Sequence, residues 1–323
     1  MSNPLDAIFL RDGNITVGIA PRCGGALTRF DVRTQDRVVD ILRPALPPNP
    51  ALLPDPALLP DRALPPDPAA RCSLGASCFP LIPYGGRLRE GRFEFEQRLY
   101  QFPLNALPER HSSHGDGWSR PWGLSHLDRR RAIMSLEADE SAPFRYHCTQ
   151  SVSIAGDRVS IELSARNLSA QRIPMGFGLH PYFANRADAK VKAKVAALWR
   201  WDHEMMPVNK EPNPDAASFS WGHRVGELPI TAEYADWDGG AAIEWPTMRL
   251  RVQLQTDPPL KHVVMWMPAG KDFFCFEPVS HATDALNGRF TQGPGADFFV
   301  LEPNASAEQR FDFIVSSGDS YSS

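Results

Sequence analysis

The residues best suited to acid–base chemistry gather around Gly176-Phe177-Gly178-Leu179-His180-Pro181-Tyr182-Phe183, where a histidine, a proline and two aromatics fill four consecutive positions. Histidine titrates near neutral pH, so His180 can release a proton and retrieve it without a large pKa shift. Pro181 cannot donate to a β-ladder, so pairing weakens there, and the pattern predicts a histidine at a sheet edge facing a cleft. The alternative is a histidine hydrogen-bonded inside the sheet. Other polar residues stand near predicted strand ends: Arg87, His114, the Trp237-Asp238-Gly239 turn, Glu277-Pro278 and Glu302-Pro303. His114 lies in a loop from Asn105 to Trp122 that also holds His111, Gly115, Gly117 and Trp118. Such polar and aromatic loops on a rigid sheet are where binding sites sit.

These residues need a scaffold, and the pattern around them is that of strands. Ser151–Ile154 and Val159–Leu163 alternate apolar and polar side chains, the period of two expected of half-buried strands. Ile15–Ile19 and Ala26–Val32 read the same way across a Gly24-Gly25 turn, which predicts a β-meander at the start of the chain. Phe93 and Phe95 alternate with Arg92 and Glu94 after a Gly85-Gly86 turn. Further runs occur at Ala241–Trp245, Leu250–Leu254, Val263–Trp266, Phe273–Phe276, Phe298–Leu301 and Arg310–Val315. Helical periodicity is nearly absent. Many short strands joined by turn residues predict an all-β fold, a large antiparallel β-sandwich, as a single domain over residues 1–323. No repeat of blade length is visible, which disfavours a propeller.

Composition bounds the function. At 323 residues, 42% hydrophobic and 22% charged, the chain has the make-up of an ordinary globular protein with a sizeable core. A net charge of −4 with scattered Lys and Arg leaves no footprint for nucleic acid. The first residues lack the basic start and apolar stretch of a signal peptide, and no window approaches a membrane span, so a cytoplasmic protein with no membrane partner is expected. Five cysteines, an odd count without a CxxC pair, predict reduced and mostly buried thiols rather than a disulfide frame or a zinc site, with Cys72 and Cys78 close enough in sequence to approach one another. Ten of the 31 prolines fall between Pro44 and Pro68, which predicts an extended, solvated insertion at about 44–70.

Taken together and in order, several of these pieces resemble the aldose 1-epimerase (galactose mutarotase) family. They are Pro83-Tyr84-Gly85-Gly86-Arg87-Leu88 with Gly91 and Phe93, His114-Gly115 with Trp118 and Trp122, and Gly178-Leu179-His180-Pro181-Tyr182-Phe183. Trp237-Asp238-Gly239 and Glu277-Pro278 with Asp284-Ala285 add to them. The resemblance covers nearly the whole chain outside the proline-rich stretch. It implies a large antiparallel β-sandwich that interconverts the α and β anomers of a free sugar without metal or organic cofactor, as a monomer or dimer. By position it makes His180 the general acid, His114 the second catalytic histidine and Arg87 the sugar-binding arginine. Trp118 or Tyr182 would cover an apolar sugar face, with core packing as the alternative for both.

Two departures accompany the resemblance. The family's catalytic base is a glutamate after a Pro-Gly turn, and the matching run Leu301-Glu302-Pro303-Asn304-Ala305-Ser306 puts Ala305 in its place. Glu302 and Glu308 lie three residues to either side, an odd offset that points to the opposite face of a strand. The family's sugar-binding aspartate aligns with Thr231, leaving Asp236 and Asp238 as the nearby candidates. Three readings stay open: an epimerase whose base comes from Glu302, Glu308, Asp236 or water; a carbohydrate-binding protein that has lost catalysis; and a structural or interaction module built on the proline-rich insertion.

Overall fold

The computed structural model describes residues 6–46, 72–105, 109–139, 141–184, 186–228, 231–288 and 298–318. Most of the proline-rich insertion expected at about 44–70 lies outside the described residues. What is described is mostly strand, with short α-helical segments at 72–74 and Ala216–Trp221. No helix among the described residues is long and apolar enough to cross a membrane.

Period-two patterning produces one 19-stranded sheet that doubles back on itself. One part runs in hydrogen-bonded order through Gly123–Leu127, Arg131–Ala138, Tyr146–Ala155, Arg158–Asn167, Ser306–Ser317 and Leu250–Asp257. The other runs through His262–Trp266, Phe273–Val279, Tyr182–Ala184, Val38–Leu42, Ala26–Arg33, Ile15–Ala20 and Ile8–Asp12. The long strand Thr231–Trp245 joins them: its second half pairs Leu250–Asp257 and its first half pairs His262–Trp266.

The two parts pack face to face. Phe30 and Phe183 from one meet Phe313 from the other, with ring centroids 6.0 and 6.5 Å apart. Each fully buried Phe or Trp in this core contributes about 1.5–3 kcal/mol of transfer free energy. The antiparallel sandwich expected from the alternation is thus the observed architecture.

The same alternation gives the second part a different face. Phe274, Phe276, Val263, Met265 and Tyr234 point into the main core. Their neighbours Phe273, Cys275 and Val279 point the other way, into a separate cluster with Phe79, Leu81, Trp118 and Tyr182. That outer face is roofed by the segments around Phe79 and Trp118, and it carries the site.

Two expectations are corrected by the fold. Cys23 and Cys72 form a disulfide, with Cα atoms 5.5 Å apart across a sequence separation of 49, while Cys78, Cys148 and Cys275 are free and buried. Spacing hid this pairing because the turn at Cys23 and the segment at Cys72 become neighbours only once the sheet is assembled. Trp237-Asp238-Gly239 is not a turn between strands; it lies inside the long strand Thr231–Trp245, which is irregular there, with positive φ at Asp236 and Gly239.

Candidate active site

His180 sits where the chain breaks between the short strands Gly178–Leu179 and Tyr182–Ala184. Gly178 pairs with Val279 and Tyr182 with Cys275. Counting along the antiparallel register from either end puts His180 opposite Glu277. Pro181 and Pro278 lack amide hydrogens, so the ladder is interrupted at this point. The break lies within the sheet and not at its edge, because Gly178–Leu179 also pairs with Pro80–Leu81. His180 is accordingly buried, at 6% exposure.

The side chains use this break. His180 Nε2 lies 3.2 Å from Glu277 Oε1. Phe79 and Tyr182 both stack on the imidazole, with centroids at 4.6 and 4.7 Å and interplanar angles of 29° and 25°. The ring is therefore fixed in plane and direction. Tyr182 is held in turn by the Arg43 guanidinium 4.1 Å above its ring, and Arg43 donates to the carbonyls of Leu74 and Ala76.

His114 approaches the His180 ring edge-on, with centroids 5.4 Å apart. Its own conformation is set locally. The His114 amide donates to Gly86 O at 2.9 Å, and the Gly86 amide donates to His114 Nδ1 at 3.2 Å. An acceptor Nδ1 leaves Nε2 as the protonated nitrogen of the neutral ring. The next residue must be glycine: Gly115 has φ +66°, and a Cβ there would lie 2.3 Å from the Ile82 carbonyl oxygen. Trp118 closes this loop by donating its indole N–H to Ser113 O and Gly115 O.

Arg87 follows the Gly85-Gly86 turn and reaches Glu109 at 3.4 Å. The turn is pinned from behind, where Gly85 donates to His281 Nε2 and Asp284 donates its amide to Arg87 O. The electrostatics follow from burial. Glu277 is 3% exposed, and desolvation pushes its carboxyl well above the usual range; the Arg87 charge opposes that shift and Glu233 reinforces it. Glu233 is itself buried on the same face, since Glu233 lies opposite Val264 and Val264 opposite Glu277. Its pKa is pushed up to about 7 by burial, against hydrogen bonds from Thr283 and from the Trp201 indole.

His180, Cys275 and Glu277 are the one group of three metal-capable donors found among the described residues, with ligand atoms all within 4.8 Å of one another. A nitrogen, sulfur and oxygen set of this kind suits a zinc-like ion.

The structure brings His180, His114 and Arg87 together with Tyr182, and it places Trp118 behind Phe79 at 5.6 Å, 2% exposed, as a support for the His114 loop. It leaves Glu302, Asp236 and Asp238 elsewhere. Glu302 follows the buried Leu301, so the alternation turns it outward, where it is 67% exposed and 3.8 Å from Arg172. Asp236 is carried outward by its positive φ and binds Lys210 at 3.0 Å. Asp238 is exposed 3.7 Å from Lys194. Ala305 packs against the main core.

Four contributors went unassigned in the sequence. Phe79, Arg43 and Glu233 carry no local signal. Trp266 is half-buried, with its ring centroid 6.4 Å from those of both His180 and Tyr182. Glu277 stood out only as a Glu-Pro pair near a strand end.

Comparison with known proteins identifies the family and the fold. The sequence profile of the aldose 1-epimerase family matches residues 61–322. The uncharacterized Escherichia coli K12 protein YphB is 29% identical over 249 residues, covering 74% of this chain and 84% of its own. A crystal structure of a candidate aldose 1-epimerase from Escherichia coli K12 superposes with a TM-score of 0.80 at 24% identity, covering 97% of this chain and 99% of the other. A galactose mutarotase-like protein from Clostridium acetobutylicum gives 0.79 at 19% identity, covering 97% and 95%.

Proposed function

Because the chain belongs to the aldose 1-epimerase family, we propose that it interconverts the α and β anomers of a free aldose by acid–base opening of the hemiacetal ring. The observation that carries this reading is the imidazole of His180, packed against Phe79 and Tyr182 with its Nε2 3.2 Å from a buried carboxylate. Ring opening needs an acid at the ring oxygen and a base at the C1 hydroxyl; rotation about C1–C2 and reclosure then give the other anomer. His180 supplies the acid, since histidine exchanges protons near neutral pH. His114, edge-on to it, donates Nε2–H to a sugar oxygen, and Arg87 binds another and shares developing charge. Trp266 offers its ring to an apolar sugar face.

A second reading, carbohydrate binding without turnover, draws on one observation: Ala305 occupies the position where the family carries its catalytic glutamate. Polarimetry separates the two. Freshly dissolved α-glucose or α-galactose should reach equilibrium rotation faster with the protein, and His180→Asn should lower that acceleration by about 10²–10⁴-fold. No acceleration across a panel of aldoses refutes the enzyme. Sugar-dependent quenching of tryptophan fluorescence in that case supports the binding protein.

A further inference from the structure

We infer that Glu277 is the catalytic base, and that it works with His180 as a pair holding a single shared proton; this rests on the mutarotase reading above. Three observations lead to it. Ala305 has no acid–base function, and Glu302 and Glu308 on either side of it are exposed. Of the two buried carboxylates on the site face, Glu233 has its oxygens engaged by the Thr283 amide and the Trp201 indole. Glu277 instead presents Oε1 to His180 Nε2 at 3.2 Å, across an interrupted ladder that fixes both backbones.

That spacing fits the substrate. In a cyclic aldose the C1 hydroxyl oxygen and the ring oxygen are bonded to one carbon, so they lie closer together than two hydrogen-bonded atoms. A base and an acid that are near neighbours, as Nε2 and Oε1 are, can therefore address both at once. The proton count also closes. With Glu277 ionised and His180 protonated, Oε1 takes the C1 hydroxyl proton while Nε2 gives its proton to the ring oxygen. The bond from C1 to the ring oxygen breaks, and the electron pair of the former O–H bond becomes the C1=O double bond. Glu277 now holds the one proton and His180 is neutral. After rotation about C1–C2, attack on the other face of the aldehyde reverses each transfer and restores the starting pair.

The surroundings raise the proton affinity of the Glu277 carboxyl, toward that of an imidazole. Burial favours the protonated carboxyl, and the Arg87 charge favours the ionised one. A base and an acid of matched affinity exchange a proton with the smallest barrier. Glu233 stands two strands across the sheet, beyond Val264, and raises the carboxyl's proton affinity without touching the imidazole pair.

The test is steady-state polarimetry over pH on wild type, Glu277→Gln, Glu277→Asp and Glu277→Ala, with thermal melts to establish folding. Glu277→Gln keeps the shape and should lose about 10²-fold or more in kcat, with KM within a few-fold. Its rate should no longer rise on the acid limb of the profile. Added formate should restore part of the rate to Glu277→Ala and none to Glu277→Gln, a response that a structural carboxylate does not give. If Glu277→Gln fails to fold, the Asp variant and formate rescue carry the test. A folded Glu277→Gln as fast as wild type, alongside an inactive His180→Asn, overturns this inference and leaves the mutarotase standing. A wild-type protein that accelerates no aldose removes both.

Discussion

Lowering the pH should destabilise this protein through one histidine that does no chemistry. His281 is 2% exposed, its Nε2 accepts the Gly85 amide at 3.1 Å, its Nδ1 donates to the Ala282 carbonyl at 2.9 Å, and its ring stacks on Phe298 at 3.9 Å. A second proton would sit on a nitrogen already facing a donor, inside an apolar stack. Burial accordingly pushes its pKa from 6.5 to about 3. The unfolded chain takes up a proton below pH 6.5 and the folded chain does not until about pH 3, so within that window more protons are bound in the unfolded state and stability falls as pH falls. The slope is about 1.4 kcal/mol per pH unit, hence about 2 kcal/mol lost between pH 6.5 and pH 5 from this residue alone. Urea unfolding followed by tryptophan fluorescence at pH 7.5 and 5.0 reads the loss directly. In His281→Gln an amide can still accept from Gly85 and donate to Ala282, so its stability difference between the two pH values should be smaller than wild type's by about 2 kcal/mol. Equal pH slopes in the two proteins refute the argument. The consequence reaches the site, because His281 holds the turn that leads into Arg87.

Glu233 should act with the opposite sign. Its carboxyl is raised from 4.5 to about 7, so the folded state keeps a proton that the unfolded state releases, and stability falls as pH rises through that window. The full loss is about 3 kcal/mol, and Glu233→Gln should remove it, which shows as a gain over wild type between pH 5 and pH 8 in the same unfolding assay. An unchanged slope counts against it. Cys72→Ser should lower stability by about 4 kcal/mol on the chain-entropy account of a cross-link closing 49 residues. A melting temperature equal to wild type under oxidising conditions, and equally insensitive to dithiothreitol, would show that this cross-link does not hold the fold.

Alternation along individual segments was enough to read the class of fold. Val159-Ser160-Ile161-Glu162-Leu163 can bury only one face, and a chain made of such segments must stack sheet on sheet. The same logic marked His180: a histidine before a proline inside a strand-like run is where a ladder must fail and a polar side chain can be used. Arg87 and His114 were legible from the Gly-Gly turn before the one, the loop dense in histidine, glycine and tryptophan around the other, and the family resemblance that runs through both. What no local pattern carries is register. Whether His180 lies opposite Glu277 or one residue away depends on how two distant segments pair, and a shift of one would turn the carboxylate into the core. Tertiary structure likewise packed Phe79 and Tyr182 on the imidazole, turned Glu302 and Asp236 out to Arg172 and Lys210, and joined Cys23 to Cys72. Side-chain period is a property of neighbours along the chain and survives in the sequence. The meeting of an acid with a base is a property of neighbours across the sheet, and it exists only after the strands have paired.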